Sequence, residues 1–497
     1  MTFISVRCKL LATVTESLLA SRSPSLNSTP QSTPSDSPRV PQARRLTLFA
    51  LISLIFFTTS GGAFGIEPLV GAVGPGWAVL LMLLTPLVWS LPMALMVAEL
   101  ASLMPEEGGY YVWVRETIGP FWAVQEAWWS LAYSTVLLAI FPVLFVSYLS
   151  YFIPAIAPAA DLQHPVLGPL LRWFIAVLLI ASAAFLNLRG ARDVGISAKF
   201  SATIVCSAFA ALVLTWIAVR PNPAATFQLV VNDLRTSHRD AVLLGISLIV
   251  LNYSGWDNAS TYANEVEQPR RNYPLAIGLA LLLVVAGYVL PVLAGISVTT
   301  DPALWSSDAG WPVISKLIGG PWLGALLSVA GLVSTWAMFN AQLLYVTRLP
   351  FVMAQDRWLP EIFARVSPVN GSPQFSIICI SLFSGLLATL SFGGLAVIQC
   401  VLYTAALTLE FLALILLRLR RPHAYRRFRV PGGWLGTSCI CVAFFSVALV
   451  VLVATLREWR DFPGQLAVVA IIVFSGAALY LFRRTIALPP DSKRRWS

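Results

Sequence analysis

Charge is scarce in this chain: Asp, Glu, Lys and Arg together make up 11% of 497 residues, and histidine occurs only three times. Soluble domains carry about 25% charged and 45–50% apolar residues, so a chain that is 57% hydrophobic is excluded from the soluble globular class. One crossing of a bilayer takes about 20 apolar residues, and this length holds many. Alternating polarity over roughly 10-residue stretches, the pattern of an outer-membrane barrel, is also missing. The apolar runs are continuous, and the expected fold class is an all-α polytopic membrane protein.

Enzyme chemistry and metal binding are absent as patterns. The six cysteines, Cys8, Cys206, Cys379, Cys400, Cys439 and Cys441, are scattered without metal or disulfide spacing and read as packing residues. His164, His238 and His423 fall in expected loops without ligand spacing. No phosphate-binding Gly-Lys-Ser/Thr loop occurs, which disfavours ATP-driven work, and no nucleophile stands at useful spacing from a base. The expectation is no catalytic residue, no metal and no cofactor, with an ion or substrate gradient as the energy source.

The net charge is +10. Twelve spans are expected, at 46–73, 76–104, 119–153, 169–188, 198–219, 241–267, 273–298, 319–350, 374–392, 394–418, 434–455 and 464–483. With the N-terminus inside, about 26 of the 33 basic residues fall in tails and even-numbered loops, the bias that sets membrane orientation. Arg44-Arg45, Arg189 and Arg192, Arg270-Arg271, the run 418–429, Arg483-Arg484 and Lys493 to Arg495 are the main clusters. The positive charge thus reports topology, with membrane lipids as partners and no nucleic acid. Both termini are expected in the cytoplasm, and the membrane is expected to be the plasma membrane.

Residues 1–42 differ from the rest. Ser21 to Gln42 is Ser/Pro-rich without hydrophobic periodicity, a composition that cannot bury a core, and Arg7, Lys9 and Glu16 argue against a cleaved signal peptide. The expected organisation is a disordered cytoplasmic tail over 1–42, five spans over 43–220, five more over 221–433, and two peripheral spans with a tail over 434–497.

Two spans contain sequences that break helices. Span 1 carries Thr58-Thr59-Ser60-Gly61-Gly62-Ala63-Phe64-Gly65, and span 6 carries Asn252-Tyr253-Ser254-Gly255-Trp256-Asp257. A lone intramembrane Gly usually serves close helix packing; here each break joins Gly to polar residues and a nearby carboxylate. Unwound backbone in hydrocarbon costs several kcal/mol per unpaired group unless it lines a cavity, and discontinuous helices at matching positions of two halves mark a midplane substrate site. Freed N–H groups at Ser60 to Gly62 suit a carboxylate, and freed carbonyls at Asn252 to Ser254 suit an ammonium.

Five carboxylates lie within expected spans: Glu67, Glu99, Glu126, Asp257 and Glu410. Intramembrane charge is costly and asks for a reason. Asp257 and Glu67 follow the two breaks and are expected to face one central cavity, where a cationic amine or a coupling proton relieves their mutual repulsion; the alternative for each is a buried acid capping freed backbone N–H groups. Glu99, Glu126 and Glu410 are expected nearer the cytoplasmic ends as ion pairs or gate elements, with Arg115 and Arg270-Arg271 as partners. Phe64, Tyr133, Tyr253 and Trp256 offer rings to a cation.

The stretches SGGAFGIEPLVGAVGP, AELASLMPEEGGYYVWVRETIGPFW and NYSGWDNASTYANEVEQPRRNYPLAI, followed by NAQLLYVTRLPFVMAQDRWLPEIFARVSP and YRRFRVPGG, resemble the amino acid, polyamine and organocation (APC) permeases from about Leu46 to Gly433. The polyamine-uptake and L-type amino-acid branches look most similar. This resemblance implies the leucine-transporter-type fold, with spans 1–5 and 6–10 as inverted repeats, and a substrate site lined by Ser60, Gly61, Gly62, Ala63 and Phe64 from span 1 and by Tyr253 to Asp257 from span 6. Two departures are visible. Leu137 stands where plant polyamine-uptake relatives carry an acid, and Val205 or Cys206 where some proton-coupled relatives carry a lysine. The expected function is a plasma-membrane permease for amino acids or polyamines working by alternating access, proton-coupled and favouring cationic amines. Its alternatives are a neutral amino-acid exchanger and a transport-inactive sensor.

Overall fold

The computed structural model describes residues 45–486 apart from 158–166, 220–222, 236–238, 307–309, 389–392, 427 and 459–462. The expectations for the tail over 1–42, for Cys8, His164 and His238, and for the Lys493 to Arg495 cluster lie outside the described residues.

Among the described residues every regular element is helical, with two isolated β-bridges, Leu46 to Val266 and Glu107 to Tyr262. The α-helices are α1 Leu48–Thr59, α2 Glu67–Val73, α3 Pro75–Leu103, α4 Tyr110–Thr117, α5 Pro120–Leu149, α6 Leu167–Leu188, α7 Ala191–Val219, α8 Pro223–Leu234 and α9 Arg239–Asn252. They continue as α10 Pro269–Ile296, α11 Pro302–Trp305, α12 Gly310–Gly319, α13 Pro321–Gln355, α14 Gln374–Leu387, α15 Gly393–Arg420, α16 Gly433–Glu458 and α17 Pro463–Ile486. Nine described helices are long and apolar enough to cross a membrane, and α1 and α14 are shorter apolar helices. Large apolar side chains such as Phe200, Leu282, Leu382 and Phe474 stay on the surface, as hydrocarbon solvent allows.

Helix starts are written locally. Gly119-Pro120 and Gly320-Pro321 each place a glycine at positive φ (126° and 87°) just before a proline that opens the helix, a pairing in which only the glycine tolerates the turn and the proline presets the first helical φ. The connections expected as loops contain α8, α11 and α12. Asp233 at the end of α8 accepts from Gly76 N at 2.8 Å and so caps α3.

Both expected breaks are present. The first span divides into α1 and α2 with an irregular Ser60 to Ile66 between them. The expected 241–267 span is α9 followed by irregular chain and two 3-10 turns, Asn258–Thr261 and Ala263–Glu265. The long helix α13 packs against α1, α5, α6, α7 and α12 and forms the wall on which the breaks rest.

Candidate substrate-binding site

The two breaks touch. Gly255 (φ 99°) lies so close to the first break that a Cβ there would stand 2.3 Å from the Thr58 carbonyl oxygen. Gln342 Nε2 from α13 donates to the same oxygen at 3.3 Å, so a carbonyl released by the end of α1 is held across the molecule. Gly61 and Gly62 are equally enclosed, by Met338 and Ser334 of α13 and by Phe209 and Val205 of α7.

The N–H groups expected to be free for a ligand are bonded within the chain. Ser60 N and Gly61 N donate to Phe56 O at 2.8 and 2.9 Å, Gly62 N to the Ser60 hydroxyl at 3.1 Å, and Gly65 N to Glu67 Oε2 at 2.7 Å. Glu67, buried at the first position of α2, also accepts from the Tyr148 hydroxyl at 3.2 Å. Its carboxylate stabilises the break from a helix N-terminus. Ala63 O accepts from Trp311 Nε1 at 2.6 Å, and Phe64 packs its ring on Tyr148 and Phe209.

On the second break the side chains divide between packing and the site. Asn252 Nδ2 donates to Leu248 O, the Tyr253 hydroxyl to Met82 O, and Trp256 Nε1 to Tyr253 O. Ser254 accepts from Trp89 Nε1. Asp257 is different: its Oδ1 accepts from the Tyr403 hydroxyl of α15 at 2.8 Å, and that hydroxyl oxygen in turn accepts from Gly255 N at 2.7 Å.

Around Asp257 the fold gathers two more buried acids, Glu126 from α5 and Glu410 from α15, and all three carboxyls interact electrostatically. Glu126, Ser130, Tyr133 and Ser134 recur at the spacing of one helix face, and Tyr403 and Glu410 are two turns apart on another. Ser130 donates to Glu126 Oε1 at 2.9 Å, and Tyr345 donates to Ser134 at 2.6 Å. The Tyr133 and Tyr403 rings meet edge to face, with centroids 5.1 Å apart. Glu126 Oε2, Glu410 Oε2 and the hydroxyls of Tyr110 and Tyr133 are buried without a hydrogen-bond partner among the described residues. Leaving such groups unpaired is costly, and together they outline a buried cage rich in oxygen acceptors. The ion pairs among the described residues run to Glu99, Glu116, Asp193, Glu265 and Asp356, and none runs to these three acids.

Glu99 stands apart. It accepts from Arg418 Nε at 3.0 Å, from Arg418 Nη2 and from Val430 N at 2.8 Å, with Arg426 Nε 3.2 Å away. Its partners are therefore the arginines at and beyond the end of α15, whereas Arg115 pairs with Asp356 at 2.7 Å. Sequence reasoning missed Tyr110, Tyr345 and Tyr403; the seven-residue spacing from Tyr403 to Glu410 was the available signal.

A membrane bundle with two abutting helix breaks and a buried acidic cage is the architecture of a permease. The amino acid permease family model matches residues 46–474, and the chain belongs to that family. It is 34% identical over 405 residues to the polyamine transporter RMV1 of Arabidopsis thaliana, covering 81% of this chain and 79% of that protein. To the polyamine transporter PUT1 of Oryza sativa it is 35% identical over 463 residues, 92% of this chain and 81% of that one. The cystine/glutamate transporter of Pongo abelii is 27% identical over 491 residues, 92% and 88% of the two chains. The chain is a transporter of this family and not an enzyme.

Proposed function

We propose that this permease carries polyamines and related cationic amines across the plasma membrane by alternating access, coupled to protons, with Asp257, Glu126 and Glu410 as the amine-binding acids. In this reading twelve spans form two inverted five-helix repeats plus a peripheral pair, both termini face the cytoplasm, and anionic lipid headgroups meet the basic loops. The observation that carries the reading is the group of three buried carboxylates without an ion-pair partner among the described residues, walled by Tyr110, Tyr133, Tyr345 and Tyr403. A cation satisfies both their charge and their vacant lone pairs, and tyrosine faces add cation–π attraction. Protons can replace the amine on the same acids in the empty stage of the cycle. The names of the plant relatives agree with a polyamine substrate.

A neutral amino-acid exchanger would need donors for a substrate carboxylate, and the N–H groups of Ser60, Gly61, Gly62 and Gly65 are already engaged. The deciding experiment is uptake into proteoliposomes of putrescine, spermidine, arginine, lysine and leucine by the wild type and by Asp257→Asn, Glu126→Gln and Glu410→Gln. Amine uptake that falls at least about tenfold, equivalent to about 1.4 kcal/mol of transition-state or binding energy, supports the cage. Transport of leucine alone, unaffected by all three substitutions, overturns it.

A further inference from the structure

A second polar cluster lies outside the cage, where the described chain begins. Leu46 N donates to Glu265 O at 2.8 Å and Glu267 N to Leu46 O at 2.9 Å, which ties the start of α1 to the chain beyond the second break. The 104–109 connection docks on that same stretch. Glu107 forms a β-bridge with Tyr262, Gly108 N donates to Thr261 O at 2.8 Å, and Gly109 approaches Ser260 so closely that a Cβ would stand 2.0 Å from its hydroxyl oxygen.

Arg348 of α13, fully buried, reaches Glu265 Oε1 with Nε at 3.1 Å and Nη2 at 2.8 Å, and its Nη1 is taken by Leu344 O and the Thr347 hydroxyl. Glu107 feels both members of that pair, and its own hydrogen bond comes from Asn264 Nδ2 at 2.9 Å. Glu107 and Glu265 thus both face the Arg348 guanidinium, while Arg189 and Arg192 border Glu265 along the adjoining cavity and Arg45 precedes Leu46. The Tyr262 hydroxyl, buried beside Arg348 and Glu265 with Tyr273 behind it, has no hydrogen-bond partner among the described residues, and neither has Asn264 Oδ1. Glu106 next to Glu107 is exposed. From outside, a polar cavity of about 360 Å³ lined by Arg189, Arg192, Asp193, Glu265 and Asn370 leads up to Glu265.

We propose that Glu107 is the proton-binding group of a gate at this end of the transporter, taking up a proton when the 104–109 connection docks on residues 258–266 and releasing it when they part. The proposal rests on the transporter reading above. Docked and ionised, Glu107 adds an uncompensated negative charge beside Glu265, which the single guanidinium of Arg348 does not cancel. Docked and protonated, it leaves one neutral Arg348–Glu265 pair and gains an O–H donor. Undocked, its carboxyl returns to water and the proton passes to solvent. Loss of water around the carboxyl, then the Glu265 charge, push the Glu107 pKa up to about 7, while Arg348 and the Asn264 hydrogen bond pull it down. The charge state thus changes across the neutral range, and acid on this side favours the closed gate.

Hydrogen exchange of the purified full chain tests this at pH 6 and pH 8, with rates corrected for intrinsic chemistry. In the wild type, protection of the 104–109 and 258–266 amides should fall about tenfold between the two values, the change that a docked-state pKa near 7 imposes on the closed population. Glu107→Gln should stay protected at both values, and Glu107→Asp should keep a pH response of altered size. A pH response in Glu107→Gln equal to that of the wild type overturns the proposal. If the Gln variant does not fold, the wild type decides: a fall in protection of about tenfold between pH 6 and 8 supports the proposal, and flat protection between them overturns it. Spermidine-induced thermal stabilisation, measured on the same samples, tests the polyamine reading separately. Its absence defeats that reading and leaves the exchange result standing.

Discussion

The Tyr403 hydroxyl donates to Asp257 Oδ1 at 2.8 Å while accepting from Gly255 N at 2.7 Å. One phenol from α15 thereby holds both the freed backbone of the second break and the acid that follows it, from outside either broken span.

Tyr403→Phe removes that hydroxyl and leaves Gly255 N unpaired in a buried position. A buried donor left unsatisfied costs about 1–3 kcal/mol, so thermal stability in detergent should fall. Amine affinity should fall with it, because Asp257 loses its positioning donor. Wild-type stability together with wild-type spermidine affinity would show that the bond does no positioning.

Gly255→Ala puts a methyl group against the Thr58 carbonyl at a backbone φ of 99° that L side chains rarely adopt. The two breaks would be forced apart, and strain of this kind costs of order 1–3 kcal/mol. Transport should be lost even where protein still reaches the membrane, as judged by surface labelling alongside uptake.

Glu99→Gln leaves Arg418 and Arg426 without their shared carboxylate in a buried setting. Removing one partner of a buried pair typically costs about 3–5 kcal/mol, so the main effect should be on folded yield and melting temperature. Glu99→Gln combined with Arg418→Met should recover part of the loss. A double variant no more stable than Glu99→Gln alone would argue that the carboxylate acts chiefly through Val430 N.

For Glu107 the folded-state pKa of about 7 lies above the ordinary carboxylate value of 4.5. A raised folded value means that the folded state binds the proton more tightly. Its stability contribution is complete below about 4.5 and is lost as the pH rises through about 7. Wild-type melting temperature should therefore decline across pH 5 to 8 by more than that of Glu107→Gln, as a paired scan by differential scanning fluorimetry would show.

Much of this protein could be read from the chain. Continuous apolar runs dictate helices in a membrane, because hydrocarbon offers backbone groups no other partner. Glycines interleaved with polar residues at 58–65 and 252–257 announce the two breaks, since those segments can neither continue a helix cheaply nor be left unpaired in lipid. Gly-Pro pairs announce helix starts. Legible, too, was that Asp257 is an acid beside a break.

Which acids come together was decided by packing alone. Glu67 and Asp257 stand in equivalent places after their breaks, yet Glu67 is engaged by Gly65 N and Tyr148 while Asp257 is joined by Glu126 and Glu410 from distant helices. Glu99 falls in an apolar run as Glu126 does, yet it meets Arg418 and Arg426. A helix presents every residue type around its circumference at a period of 3.6, so sequence tells which residues share a face. Only the docking of α3, α5 and α15 against the broken segments tells what that face meets, and thus whether a buried acid is paired with an arginine, as Glu99 is, or gathered with other acids, as Asp257 is.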